Sequence, residues 1–195
     1  MNPLIISTKQ DEREAAVSAM LSEIPAPILR FMERAGVRVR LLRQREQYAQ
    51  ASPELVRLKI DVDAWPNPPA GLFVVAEKTL YLRSISRMTV YHELGHGFDA
   101  ACGSGVYWSG SAAWRSAFHR TTRFVTPYAA TATDEAFAEA FRAYFDANDA
   151  ASSWPDVSRK MLRSVSPAMF AIMAQLIGGI EKTGEVPVVA VEEVA

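Results

Sequence analysis

The sequence predicts an α+β fold, a mainly helical single domain with a small sheet packed beside one histidine-bearing helix. Three observations lead there. Residues 86–102 and 132–147 repeat apolar side chains at the period of an α-helix. Residues 37–41, 72–75 and 79–82 are short β-prone runs. The chain has 195 residues, 49% of them hydrophobic and 22% charged, which suffices for one sizeable core. We expect one domain over 1–195, with its core in about 20–180 and a tail at 181–195.

The elements follow in order. Residues 10–35 read as helical, interrupted at Pro25 and Pro27. Ile28, Phe31, Met32 and Ala35 give the second part its helical spacing, and Gly36 stops it. Val37, Val39 and Leu41 then alternate with Arg38, Arg40 and Arg43, a half-buried strand whose basic face is solvated. Residues 44–70 are weakly patterned, and 65–69 (Trp-Pro-Asn-Pro-Pro) are a loop. The runs 72–75 and 79–82 flank Ala-Glu-Lys as a hairpin. In 86–102, Tyr91, Leu94, Gly95, Phe98 and Cys102 form a buried stripe, with His92, His96 and Asp99 on the adjoining face. Residues 103–105 (Gly-Ser-Gly) end that helix. A short helix is expected at 111–119 and a loop through Pro127. In 132–147 the apolar face is Phe137, Ala140, Phe141, Tyr144 and Phe145. Two more helices fill 155–180, one starting at Pro167. The tail is frayed or an added strand.

Bulk properties exclude several classes. The net charge is −1, from 21 basic and 22 acidic residues, so nothing favours nucleic acid or an anionic membrane. The single cysteine, Cys102, rules out an internal disulfide. No apolar run approaches the ~18 residues of a membrane span. Residues 1–11 show no basic region followed by an apolar core. The expected location is cytoplasmic, or outside the cell by a route that the sequence does not show. Oligomeric state is not readable.

Chemistry concentrates in His92-Glu93-Leu94-Gly95-His96. Histidines four apart on a helix sit about 40° apart around its axis, so both imidazoles reach one metal ion. Glu93 points beside that metal, where it can take a proton from water and pass it to a leaving amine. This is the H-E-x-x-H arrangement of zinc peptidases. A catalytic zinc keeps three protein ligands. The extended motif with a third histidine is rejected, because Asp99 occupies its turn glycine and Cys102 its last ligand position. The remaining source is residues 133–141, which offer Glu135 and Glu139 on one face. One can bind zinc while the other accepts a hydrogen bond from a ligand histidine. Spacing alone leaves the two equivalent. The bland alternative is that Asp134 and Glu135 offset the helix dipole, with Thr131 or Thr133 as cap, and that Glu139 and Arg142 are a solvated pair.

The string 134–141 (Asp-Glu-Ala-Phe-Ala-Glu-Ala-Phe) after His-Glu-Leu-Gly-His resembles the glutamate helix of the lethal-factor-like zinc peptidases, which include the Pro-Pro endopeptidases. The resemblance spans about 20–180 by order of elements, and it implies a zincin-like, gluzincin-type fold. It implies that Glu135 is the third ligand to one zinc ion per chain. It also implies that Tyr128, seven residues earlier, directs its hydroxyl at the metal site. Ala136 departs from the family string, which commonly has an aromatic there. Family members do not share one substrate.

On this reading zinc lowers the pKa of its water, Glu93 is the general base, and zinc with Tyr128 stabilises the oxyanion. Glu139, with Asp134, orients the ligand histidines. A protein or peptide substrate binds extended, pairing with the 79–82 strand as an edge, or that strand simply completes the sheet. His119, Trp108, Trp114 and Cys102 are read as structural or surface residues. The expected function is zinc-dependent endopeptidase. The competing readings are a regulatory peptidase acting on a repressor, or a zinc-stabilised interaction domain without catalysis. Glu93 and Tyr128 argue against the last, since neither is needed to hold zinc.

Overall fold

The computed structural model describes residues 2–150, 152 and 154–189. Helices α1 (Asp11–Leu21) and α2 (Ala26–Arg34) come first, after a two-residue strand β1 (Ile5–Ile6). They break at 22–25 and meet at 112°. Pro25 leads into α2, whose Ile28 and Met32 are buried. Gly36 then turns the chain at φ 89°, a left-handed backbone that favours glycine. No single described helix is long and apolar enough to cross a membrane.

Four strands form one sheet in the order β1-β2-β4-β3. Strand β2 (Arg38–Leu41) runs parallel to β1 and to β4 (Thr79–Leu82), with Arg38 opposite Thr79 and Leu41 opposite Leu82. Strand β3 (Gly71–Val74) is antiparallel to β4 and closes the predicted hairpin. This order corrects one expectation: 79–82 is no edge strand, and β3 is. The reason is burial on both faces. Leu80 and Leu82 enter the main core, while Tyr81 enters a second, smaller one with Leu42, Tyr48, Leu55, Val62 and Val74. Helices α3 (Tyr48–Ala51) and α4 (Pro53–Leu58) build that smaller core from the stretch that reads as weakly patterned. Ser52 accepts from the Leu55 N–H and Pro53 opens α4, so local capping starts the helix without a long apolar repeat.

Helix α5 (Arg87–Cys102) lies on the other face of the sheet. A Cβ on Gly97 would sit 3.1 Å from Val37 Cγ1 and 3.2 Å from Leu80 Cδ1, so the helix backbone rests almost directly on the strands. Ser86 caps α5 by accepting from Thr89 N–H. Asp149 accepts from the next free donors, Arg87 N–H at 3.0 Å and Met88 N–H at 2.7 Å. Helix α6 (Ala112–Arg120) follows, capped by Ser111.

Helix α7 (Thr133–Tyr144) packs antiparallel against α5, with Phe137, Ala140 and Phe141 fully buried. It ends three residues before its expected limit. Its N-cap is Ala132, and neither Thr131 nor Thr133 caps it; the Thr131 hydroxyl bonds Tyr128 O instead. Helices α8 (Arg159–Val165) and α9 (Pro167–Thr183) complete the core. Trp114, Cys102 and Trp108 pack as expected, and His119 is exposed. The expected tail is helical through Thr183, and its last six residues lie outside the described ones.

Candidate metal centre

Helices α5 and α7 approach at backbone distance because Gly95 has no side chain. A Cβ there would lie 2.7 Å from Ala138 Cα. That approach sets the histidines of one helix against the glutamates of the other. Glu135 Oε2 lies 3.2 Å from His92 Nε2 and 3.4 Å from His96 Nε2. It is buried yet has no hydrogen-bond partner, because the two rings do not align their N–H groups with it. The three atoms converge on a common point instead. Tetrahedral zinc with ~2.1 Å bonds separates its ligands by roughly 3.4 Å. Two imidazoles and a carboxylate at these separations therefore fit a zinc ion, and this trio is the one metal-competent group among the described residues.

Two of the three candidate ligands are held from behind. Glu135 Oε1 accepts from the Tyr128 hydroxyl at 2.9 Å. Tyr128 opens a 3₁₀ turn (Tyr128–Ala130) and also lies against the His92 ring, with centroids 5.6 Å apart. His92 Nδ1 meets Glu139 Oε1 at 2.9 Å. Glu139 in turn accepts from Thr126 Oγ1 at 2.9 Å and from Arg142 Nη1 at 2.9 and 3.0 Å. Arg142 is 1% exposed and donates onward to Ala147 O and Asn148 Oδ1. The solvated reading of the Glu139–Arg142 pair is thus overturned. Burial opposes the charge on Glu139, but the hydrogen bond with His92, the charges of His92 and Arg142 and the Thr126 hydroxyl together outweigh it, so its pKa is lowered.

Thr126 and Arg142 are the site residues that sequence reasoning missed. Arg142 carried a signal, since a basic residue three after Glu139 on an aromatic helix matches a buried ion pair as well as an exposed one. Thr126 carried none. Asp134 makes no hydrogen bond to either histidine among the described residues, and the structure does not bring it into contact with them.

The electrostatics follow from burial and the paired charges. Burial disfavours a charged His92, but the carboxylates of Glu135 and Glu139 beside it prevail and raise its pKa to about 10. Burial likewise opposes ionised Glu135, and His92 and His96 hold it well below the usual carboxylate range. Glu93 is 7% exposed, and burial pushes its carboxyl up against the pull of His92 and His96. A Cβ on Gly71 would sit 2.5 Å from Glu93 Cγ, so the start of β3 presses on this side chain. Burial pushes Tyr128 up too, with Glu135 adding to it.

Glu93, His92, Tyr128, Glu139 and Arg142 line a cleft of about 230 Å³ with Pro69, Ala70, Gly71, Met88, Thr89 and Trp154. A larger cleft of about 890 Å³ lies elsewhere, among Arg13, Arg43, Arg45 and Arg83, and holds none of these groups. The smaller one reaches the candidate metal centre through His92, while His96 and Glu135 lie outside its lining.

No protein-family model matches the chain, and no curated protein matches it in sequence. Among solved structures, the fold is similar to that of a Pro-Pro endopeptidase, PPEP-2, from Paenibacillus alvei. The TM-score is 0.61 at 22% sequence identity, over 89% of this chain and 97% of that one. The two share the α+β architecture, a helical domain with one small sheet.

Proposed function

We propose that this chain is a zinc-dependent endopeptidase. The observation that carries the reading is the convergence of His92 Nε2, His96 Nε2 and Glu135 Oε2 beside the buried carboxylate of Glu93. The likeness in fold to a Pro-Pro endopeptidase supports a peptide as substrate. His92, His96 and Glu135 would hold the zinc, which when bound supplies a Lewis acid that activates water and polarises the scissile carbonyl.

The chain's own groups do the rest. Glu93 takes the proton of the attacking water and returns it to the departing amine. It suits that task because burial raises its proton affinity while the nearby histidines keep it ionisable. The Tyr128 hydroxyl is a donor already aimed into the cleft, bonded to Glu135. Turned from that carboxylate to the carbonyl oxygen, it stabilises negative charge as it develops. Glu139, braced by Arg142 and Thr126, fixes the His92 ring and keeps its Nδ1–H pointed away from the metal. Trp154 and Met88 form part of the cleft wall.

Strand β3 ends the sheet, and its first residue lines the cleft. An extended peptide adding to this edge would be carried past Glu93. The test is hydrolysis of a peptide library by the full chain. Cleavage should stop with chelator and return with zinc. Zinc-loaded, folded protein that cleaves no peptide bond refutes the proposal.

A further inference from the structure

The two ligand histidines are supported unequally. His92 has Glu139 on its Nδ1 at 2.9 Å. His96 presents Nε2 to the same centre, yet its Nδ1 is buried without a hydrogen-bond partner. A histidine that ligates through Nε2 carries its proton on Nδ1, and that N–H needs an acceptor. The ring contacts of His96 are with Tyr107, tilted by 33° at 5.7 Å between centroids, and with His92, edge-on at 4.9 Å, and neither is a hydrogen bond to Nδ1.

One turn further along α5 lies Asp99, 0% exposed. Its Oδ1 accepts from Ser109 N–H at 2.7 Å. Its Oδ2 is buried with no partner. Buried polar atoms are nearly always paired, so each such atom calls for a cause. Five described side-chain atoms lack one: Glu14 Oε2, Arg40 Nη1, Glu135 Oε2, His96 Nδ1 and Asp99 Oδ2. Glu135 Oε2 is a candidate ligand. The last two are a donor and an acceptor at i and i+3 of one helix, where side chains are neighbours. No direct bond joins them, and one buried water placed between them would satisfy both.

We infer that Asp99 is the positioning carboxylate for His96, accepting its Nδ1–H through one bridging water, as Glu139 accepts that of His92 directly. Ser109 N–H holds Asp99 in place from the 3₁₀ turn that follows α5. Asp99 lies outside the candidate ligand trio, and its role is to position a ligand, not to bind metal. The centre then has a carboxylate behind each imidazole, one from α7 and one from α5 itself.

The inference rests on the zinc reading above, and the experiment separates the two. Full-length wild type, Asp99→Asn and Asp99→Ala are compared for zinc affinity by chelator competition, and for the His96 Nδ1–H resonance in zinc-loaded protein with ¹⁵N-histidine. An amide cannot accept from Ser109 and from the His96 side at once, because one of its ends only donates. Asp99→Asn should therefore weaken zinc by about 10–100-fold and shift the His96 signal while leaving that of His92 unmoved. Asp99→Ala should do at least as much; if it fails to fold, Asp99→Asn decides alone. A folded Asp99→Asn protein with wild-type zinc affinity, or with an unmoved His96 signal, overturns the inference. Wild type that binds no zinc overturns the metal reading itself.

Discussion

Gly95 and Ala138 are in backbone contact across the two helices of the site, since a Cβ on Gly95 would sit 2.7 Å from Ala138 Cα and 3.0 Å from its carbonyl oxygen. Neither atom belongs to a side chain that could swing aside. Gly95→Ala should therefore force α5 and α7 apart, costing about 1–3 kcal/mol of stability as overpacking does. Zinc content should fall with it, because the ligands come from both helices. Thermal melts and metal analysis check this; an alanine variant with wild-type melting and full zinc would show that the helices separate freely.

Glu93 touches β3 and the cleft but is no ligand. Glu93→Ala should keep its zinc and lose peptide cleavage by about 10²–10⁴-fold, the loss of a general base. Activity retained in the metal-loaded variant removes Glu93 from the mechanism.

Tyr128 and Glu135 share a hydrogen bond but should fail differently. Glu135→Ala removes one of three ligands and should abolish most zinc binding. Tyr128→Phe should keep zinc and KM and lower kcat by about 100-fold, because an oxyanion donor acts only as charge develops. A Tyr128→Phe enzyme changed in KM alone would make the hydroxyl a substrate-binding group.

Arg142 is a buried cation whose charge partner is Glu139. Arg142→Met leaves that carboxylate with Thr126 and His92 alone, and should cost about 3–5 kcal/mol. Replacing Glu139 and Arg142 together by methionine should cost less than Arg142→Met alone. Chemical denaturation of the metal-free variants gives both numbers. A cost under about 1 kcal/mol for Arg142→Met would mean that water reaches the pair.

Glu14 fixes the start of the chain to α1. Its Oε1 accepts from Thr8 N–H at 2.6 Å, Thr8 Oγ1 at 3.1 Å and Gln10 N–H at 3.3 Å. The Thr8 backbone bond leads in holding its pKa below the ordinary 4.5, against the opposing effect of burial. A depressed carboxylate adds stability above its unfolded pKa and loses it as pH falls through the folded value. Glu14→Gln should melt below wild type at pH 7, and the gap should close in acid below about pH 4.5. A gap independent of pH would mean that shape, and not charge, holds this corner.

The long helices and the hairpin were legible because their residues carry a period or a turn signal within one short window. Helix α5 runs over Arg87–Cys102, within one residue of the expected 86–102, with Ser86 as its cap. The strand order was not legible. The neighbour that makes β4 central is β2, 41 positions earlier by the Arg38–Thr79 register, and parallel pairing over such a distance leaves no local mark. Strand β1 has two residues, too few for any period. At the site, helical spacing put His92 and His96 on one face and Glu135 and Glu139 on another. Which glutamate meets both histidines depends on how α7 is turned against α5, and Gly95 against Ala138 settles that in three dimensions. The burial of Arg142 was not legible for the same reason, since Ala147, Asn148 and Trp154, beyond the end of α7, accept its hydrogen bonds.

Glu139 on His92, Ala138 on Gly95 and Glu135 by His96 succeed one another along the two helices in opposite chain order. They act as the teeth of a zip. One residue inserted or deleted inside either run turns everything beyond it by about 100° and slides it ~1.5 Å, so every later tooth misses its slot. Side chains facing away from the seam are free to drift, and the count of residues between the teeth is not. Descendants of this chain should therefore diverge in letters while keeping the intervals 92–95–96 and 135–138–139 unchanged, with gains and losses of length falling outside these two runs.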